Sequence, residues 1–483
     1  MNEPQSNCSA MKARFVVMRA CAAGVALLLP GCAVGPDYQR PAVNSPANFR
    51  NAAAAPSTNS LADLPWRELY RDETLDALIR TALANNYDLR IAVARVEEAR
   101  AIAKQAKAQF VPHAGYEGDV SRGRNEFLGS PNPAGPAGAR TGDAVFAALS
   151  ASWEMDLWGR LRVLNESARA SFLASEEARR GVGLSLVANV AQAYFELLEL
   201  ERRREIANRT TDSFRESARI FNRRFEAGGA SKLDTTRAEG ALASTAANVP
   251  DIERQIALKE NQISVLIGCN PGPVGHSAKL EGQVPLPEVP AGLPSALLER
   301  RPDLRQAEQN LRSANAQVGV SVAEFFPKIG LTTFLGKVSA ELSAFTAGAA
   351  NTWSAASSLS GPIFQGGALV GQYREARAKR EQATLRYEQT ALNAFREVAD
   401  ALVTREKLEA VRAEQARAVK AYEEAVQLSM QRYTDGKAAY FEVLEAQQQL
   451  FPAENSLART ELNQLLVIVQ LYKALGGGWE EAK

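Results

Sequence analysis

Glu442 and Glu445 stand three residues apart, which puts both carboxylates on one face of a helix. Carboxylates so placed are candidates for acid–base chemistry or for a charged lining. Acid–base work needs an enclosed apolar pocket that raises one of the two pKa values, and nothing in the neighbouring sequence suggests one. The two histidines, His113 and His276, lie far apart, and no Cys/His cluster has metal-ligand spacing. No Gly-x-Ser-x-Gly elbow and no phosphate loop occurs. The sequence therefore points away from an enzyme, a metal centre or a bound cofactor, and leaves the charged lining.

One residue type does carry covalent chemistry. Of the four cysteines, Cys8 and Cys21 fall in an expected leader, and Cys269 has only Cys32 as a possible disulfide partner, so no disulfide framework exists. Basic Lys12, Arg14 and Arg19 precede the apolar run from Cys21 to Leu29, which is too short to span a bilayer and fits a signal-peptide core. Residues 1–31 are expected to be a signal peptide, with Met11 as an alternative start. Leu29-Pro30-Gly31-Cys32 resembles the bacterial lipobox. That resemblance implies a covalent lipid on Cys32, whose buried methylenes contribute about 0.8 kcal/mol each to membrane anchoring. Ala33 follows, where an aspartate would resemble an inner-membrane retention signal, so outer-membrane lipid is the expected anchor.

The elements that must position these groups are set by a duplication. Residues 154–268 resemble residues 362–476 at a constant offset of 208. Arg224-Phe225-Glu226-Ala227-Gly228 falls on Arg432-Tyr433-Thr434-Asp435-Gly436, and Gly268 on Gly476. A second block repeats at an offset of 215, where Asp88-Leu89-Arg90 falls on Asp303-Leu304-Arg305 and Phe110-Val111-Pro112 on Phe325-Phe326-Pro327. One unit of about two hundred residues is written twice. Fifty-six basic residues nearly cancel fifty-five acidic ones, a net charge of +1 that offers no global field to nucleic acid.

Each copy reads as helix, hairpin, long helix and return helix, so the fold class is mostly α with a small β part. Residues 32–65 read as lipid anchor and extended linker. The first repeat spans 66–270, with a β-hairpin at 113–157, a long helix at 161–226 and a return helix at 233–266. A linker follows at 271–290. The second repeat spans 291–478, with a hairpin at 328–365, a long helix at 368–434 and a return helix at 438–475, and 479–483 form a tail. Val145, Ala147, Leu149, Ala151, Trp153 and Met155 alternate with small and polar residues, a period of two that indicates a strand. Each proline-free long helix reaches about 100 Å. Apolar residues at 184, 187, 191, 194 and 198, and at 392, 395, 399 and 402, step by threes and fours as in a left-handed coiled coil. Asn85-Asn86 and Arg301-Pro302 break the helices before the hairpins. Gly228-Gly229 and Gly436 stop the long helices, and Pro250 and Pro452 are expected to bend the return helices.

Two hairpins supply four strands. An open four-stranded sheet cannot cross a membrane, because its edges leave N–H and C=O groups unpaired in lipid, and bacterial barrels start at eight strands. Several chains must therefore share one barrel if the strands are transmembrane. Three chains give twelve strands, and two or four satisfy the same pairing rule. The alternative is a lipoprotein coiled-coil tether that spans the periplasm and conducts nothing.

These residues resemble the outer membrane factor family, the TolC-like channels, and within it the NodT-like lipoproteins of resistance-nodulation-division efflux systems. The resemblance is carried by Cys32-Ala33-Val34-Gly35-Pro36-Asp37-Tyr38, by Glu154-Met155-Asp156-Leu157-Trp158-Gly159-Arg160, by Gly361-Pro362-Ile363-Phe364-Gln365-Gly366-Gly367, by Arg300-Arg301-Pro302-Asp303, and by Tyr433–Gly436 with Val443-Leu444-Glu445-Ala446-Gln447. It implies a homotrimer with a shared 12-stranded β-barrel in the outer membrane and an α-helical barrel in the periplasm. It also implies passive export of drugs or other small molecules, with an inner-membrane resistance-nodulation-division transporter and a periplasmic adaptor as partners. Type I protein secretion is the nearest alternative. The turns at 225–238 and 433–446 would form the periplasmic gate, with Glu442, Glu445, Tyr433, Asp234 and Arg237 as gate residues. Gly228, Gly229, Gly436 and Lys437 would dock the adaptor. Ala438 stands where the family carries a basic partner, with Lys437 adjacent, which speaks against a salt-bridge lock there.

Overall fold

The computed structural model describes residues 34–50, 60–70, 72–124, 141–275, 279–280, 294–339, 345–346 and 350–477. The leader, Cys32, His276, the C-terminal tail and the loop between the first two strands lie outside the described residues. Helices α1 (Glu73–Asn85) and α2 (Tyr87–Ala108) lead to strands β1 (His113–Arg124) and β2 (Thr141–Met155), then to α3 (Arg160–Glu226), α4 (Lys232–Ala246) and α5 (Asn248–Leu266). The second half has α6 (Pro302–Ala323), β3 (Lys328–Ser339), β4 (Asn351–Ser360), α7 (Ala368–Thr434) and α8 (Tyr440–Ala474). Helices α3 and α7 each have 67 residues.

Two units divide the chain. The first comprises residues up to 40, 98–172 and 309–384; the second comprises 41–97, 173–308 and 385 onward. In the first, the strands form one antiparallel sheet in the order β1-β2-β3-β4. Trp158 fastens the sheet to its helices: its indole N–H donates to the Pro327 carbonyl at 2.8 Å and its ring stacks on Phe326 at 4.8 Å. Arg160 donates twice to the Glu154 carboxylate, at 2.9 and 2.7 Å. The extended segment at residues 34–40 lies along α6. Asn315 donates to the Pro36 carbonyl at 2.8 Å, and a Cβ on Gly35 would stand 2.6 Å from the Gly319 Cα.

In the second unit the duplication reappears as matched contacts. Between α1 and α2, Asn86 accepts from the Leu89 N–H at 3.0 Å, capping α2, and donates to the Leu266 carbonyl at the end of α5 at 2.9 Å. Its counterpart Arg301 donates to the Ala474 carbonyl at the end of α8 at 2.9 Å and pairs with Asp303 and Glu397. Just beyond each of these helix ends the chain turns on a left-handed glycine, Gly268 at φ 75° and Gly476 at φ 79°. Tyr194, at the centre of the α3 stripe, is buried and donates to Asp72 at 2.9 Å; Asp72 in turn caps α1 at Leu75.

Three expectations need correction. The return helix of the first repeat is not continuous over 233–266. It divides at Ala247 because Pro250 has no N–H to bond backward and so sits in the first turn of α5, where no bond is required. Pro452, by contrast, stays inside α8. In α7 the buried stripe runs through Tyr387, Ala391, Ala394, Val398 and Leu402, while Leu392 is 66% exposed. Phe395 and Leu402 of the expected stripe are buried with these residues, so Leu392 is the exposed exception and Ala391 takes its place in the core. The second hairpin ends at Ser360 rather than 365, where Gly361-Pro362 withdraws a ladder donor.

One buried charge links α3 to α8. Glu454 is 6% exposed and pairs with Arg209, with its second oxygen unpartnered among the described residues. Burial raises its pKa; Arg209 opposes that rise and Glu423 adds to it. Between the ordinary and the raised value the folded chain therefore binds more proton than the unfolded chain. This contribution is fully present below the ordinary carboxylate value and is lost as pH rises through the elevated folded value.

Two outcomes are expected. Glu454→Gln raises the thermal midpoint at neutral pH by a few degrees, because Arg209 keeps its access to water, and the gain disappears near about pH 4; circular-dichroism melts across pH measure it. Gly268→Ala lowers the midpoint more than Gly476→Ala. The new Cβ would meet the Asn85 backbone at 2.7 Å but the Arg300–Arg301 backbone only at 3.2 Å. The left-handed strain of about 1–2 kcal/mol is common to both.

Candidate functional site

The sheet has two chemically distinct faces. Across its width the register aligns Tyr116 with Leu149, Leu149 with Leu335, and Leu335 with Trp353. These four side chains are 89%, 64%, 63% and 76% exposed. Val120, Ala151, Leu331 and Leu359 share this face because side chains alternate along each strand. The opposite face carries Glu117, Asp119, Ser150, Ser152, Thr332, Ser354 and Ser358. An exposed apolar band backed by polar residues is the pattern of a sheet with lipid on one side and water on the other. Within one chain, β1 and β4 are edges with an unpaired row of backbone donors and acceptors. One described helix, α3, has an 18-residue window apolar enough to cross a bilayer, but 61% of that window is buried in protein.

The tip of the second unit gathers the predicted gate residues and sorts them by role. Gly228 at φ 77° and Gly436 at φ 73° end α3 and α7 through matched bonds, Gly229 N–H to the Arg224 carbonyl at 2.7 Å and Lys437 N–H to the Arg432 carbonyl at 2.8 Å. All four predicted docking residues, Gly228, Gly229, Gly436 and Lys437, are exposed, and a Cβ on Gly228 or Gly436 would meet nothing within 4 Å. Asp234 closes a capping box at the start of α4, accepting from the Ser231 N–H at 3.1 Å and hydroxyl at 2.7 Å. Glu442 repeats that role, accepting from the Ala439 N–H at 3.4 Å, and its other oxygen lies 3.8 Å from Arg432. Glu445 and Arg237 are exposed. Lys437 pairs with Asp435 at 3.4 Å inside the turn.

Tyr433 does not stand open. It is 6% exposed, packed edge-on against Phe221 at 4.9 Å and covered by the Arg224 guanidinium at 4.1 Å. Phe221 also meets Tyr440 at 3.9 Å between centroids. The Tyr440 hydroxyl has no partner among the described residues; burial and then the Asp234 charge push its pKa up to about 12. Farther from the turns, Gln447 donates to Ser213 at 2.9 Å and Ser217 at 3.0 Å, a buried polar link between α8 and α3. Sequence reasoning missed Arg224, Phe221, Tyr440, Gln447 and the serines. Only the neighbourhood of Arg224 and Gln447 to the repeated glycine turns could have flagged them.

The described residues thus form a sheet with one apolar and one polar face and a tip built on two left-handed glycine turns. A family model described as outer membrane efflux protein matches residues 78–269 and 293–477, one stretch per repeat. The toluene efflux pump outer membrane protein TtgC of Pseudomonas putida is 35% identical over 461 residues, 94% of each chain. The cation efflux system protein CusC of Escherichia coli is 33% identical over 464 residues, 95% of this chain and 98% of that one. The solved structure of the outer-membrane channel OprN superposes with a TM-score of 0.86 at 31% identity, covering 93% of this chain and 100% of that chain. The agreement of duplicated architecture, two-faced sheet and full-length similarity establishes that the chain belongs to the outer membrane efflux protein family.

Proposed function

We propose that three copies of the chain assemble into one conduit, each giving four strands to a twelve-stranded barrel and two repeats to an α-helical barrel beneath it. The protein is the outer-membrane channel of a tripartite efflux pump. The observation that carries the trimeric reading is the row Tyr116–Leu149–Leu335–Trp353, an apolar girdle across a sheet whose two edges are free. In lipid each unpaired backbone group costs several kcal/mol, so β4 of one copy must pair with β1 of the next. The lipid on Cys32 holds the assembly to the outer membrane while the barrel closes.

At the far end, Glu442 and Glu445 from three copies make acidic rings that favour cations and repel anions. Asp234, Arg237 and Tyr433 shape the same aperture, the first two by charge and Tyr433 by holding the tip closed from within its packed cluster. The protruding turns at Gly228–Gly229 and Gly436–Lys437 dock the periplasmic adaptor, and an inner-membrane resistance-nodulation-division transporter supplies the energy. The cargo is small molecules. TtgC is named for toluene and CusC for cations. With only five methionines in 483 residues, this chain favours organic cargo over a thioether-lined metal path.

In planar bilayers the purified lipoprotein is expected to form channels of one trimeric species by native mass spectrometry; a stable monomer without conductance would sink the proposal. Replacing Glu442 and Glu445 together by Gln should lower the cation-to-anion permeability ratio severalfold, read from reversal potentials in a salt gradient. Gly436→Asp should abolish drug export in cells while membrane levels stay unchanged, and normal export by this variant would count against docking at the turn.

A further inference from the structure

Helix α3 contains two glycines, Gly181 and Gly183. Glycine weakens a helix interior, so the pair marks a place where side chains are kept out. Gly181 borders a cavity of about 650 Å³ between α2, α3 and the start of α6. That volume suits a drug-sized ligand.

Helix α2 turns Asp88, Ile91, Ala92 and Arg95 toward the cavity, a face of i, i+3, i+4 and i+7 spacing. Asp88 and Arg95 are exposed and have no partner among the described residues. The helix sets them about 10 Å apart along its axis, with apolar Ile91 and Ala92 between them. Lys473, near the end of α8, is a third exposed charge without a partner among the described residues. Arg301 and Asp303 also line the cavity, but they pair with each other at 2.6 Å.

The repeat supplies an internal comparison. At the offset of 215, Ile91 falls on Gln306 and Arg95 on Asn310; at 208, Gly181 falls on Gln389. The second copy therefore lacks the cation and the apolar stretch, and it carries a long amide where the first has no side chain. The cavity and its charges belong to the first repeat alone and are not a consequence of the shared fold.

We propose that this cavity binds an amphipathic zwitterion. Arg95 takes its carboxylate and Asp88 an ammonium about 10 Å away, while a rigid apolar body lies over Ile91 and Ala92 in the space beside Gly181. With Lys473 the free charges have one cation in excess, so the carboxylate is the stronger anchor. The inference rests on the channel reading above and gives it a class of cargo. The other face of α3 is closed by α1, where Val187, Val190 and Ala191 pack with Leu75, Ile79 and Ala82. In a ring of coils a second helix layer has room only outside, so the cavity borders the conduit. A zwitterion also meets the acidic rings without net charge.

Calorimetry on the full lipoprotein in nanodiscs, blanked against empty nanodiscs, tests the site with 4′-(aminomethyl)biphenyl-4-carboxylate. One saturable site per chain is expected. The shorter 4-(aminomethyl)benzoate should bind about tenfold more weakly. Gly181→Gln and Arg95→Asn, which borrow the residues of the second repeat, should each weaken the biphenyl probe by about tenfold. Asp88→Asn should weaken it too, yet tighten biphenyl-4-carboxylate, a reversal that a damaged fold would not give. No saturable binding would overturn the site, undiminished binding to Gly181→Gln would overturn its location, and equal binding of the shorter probe would overturn the charge spacing. In planar bilayers the probe should lower the current of the unmodified lipoprotein and leave that of Gly181→Gln unchanged. Calorimetric binding with no effect on a measured current would overturn the cargo role. No current at all would overturn the channel reading and leave the binding site standing.

Discussion

The free N–H and C=O groups along β1 and β4 are the constraint to which the rest of the structure answers. A sheet of four strands has two such edges, and water satisfies them at little cost while a bilayer does not. The apolar row across the sheet suits that face to lipid, and on the trimeric reading proposed above the edges take strands from other copies. The duplication gives each copy two hairpins for that closure, each followed by a long helix. Trp158, Arg160 and Glu154 matter because they tie the strands to the helices that flank them.

The duplication is kept where it builds and relaxed where it acts. Asn86 and Arg301 differ in chemistry yet make the same bond, to Leu266 and to Ala474, because each sits at a helix break beside the end of a return helix. Asp234 and Glu442 both close the first turn of a return helix. At the tip the copies diverge. Phe221, Tyr440 and Gln447 correspond to Ser429, Lys232 and Glu239 in the other repeat, so the aromatic packing and the amide link of the tip have no equivalent with the repeats exchanged.

Much of this is legible from spacing alone. The long helices, their glycine stops, the breaks at Asn85-Asn86 and Arg301-Pro302, and the alternating strands all depend on interactions within a few residues. The break at Ala247 is half visible: Pro250 announces a fault, but whether a helix bends or divides depends on what packs around it, and Pro452 in α8 shows the other outcome. Leu392 misleads because small Ala391 and Ala394 carry little hydrophobic signal yet are the residues buried there. The Arg224 contact is invisible in the sequence, since its partners are a ring and two carbonyls more than two hundred residues away.

Residue order sets the repeat, the period of each element, the places where helices must stop, and a strand count too small to close a pore. These follow from local backbone chemistry and from counting. Folding in three dimensions settles which carboxylates cap helices and which stay exposed, buries Tyr433 under Arg224, and packs Phe221 against Tyr440. Those outcomes depend on side chains brought together from distant segments, and burial, hydrogen bonding and charge pairing at such meetings have no signature in the order of residues along the chain.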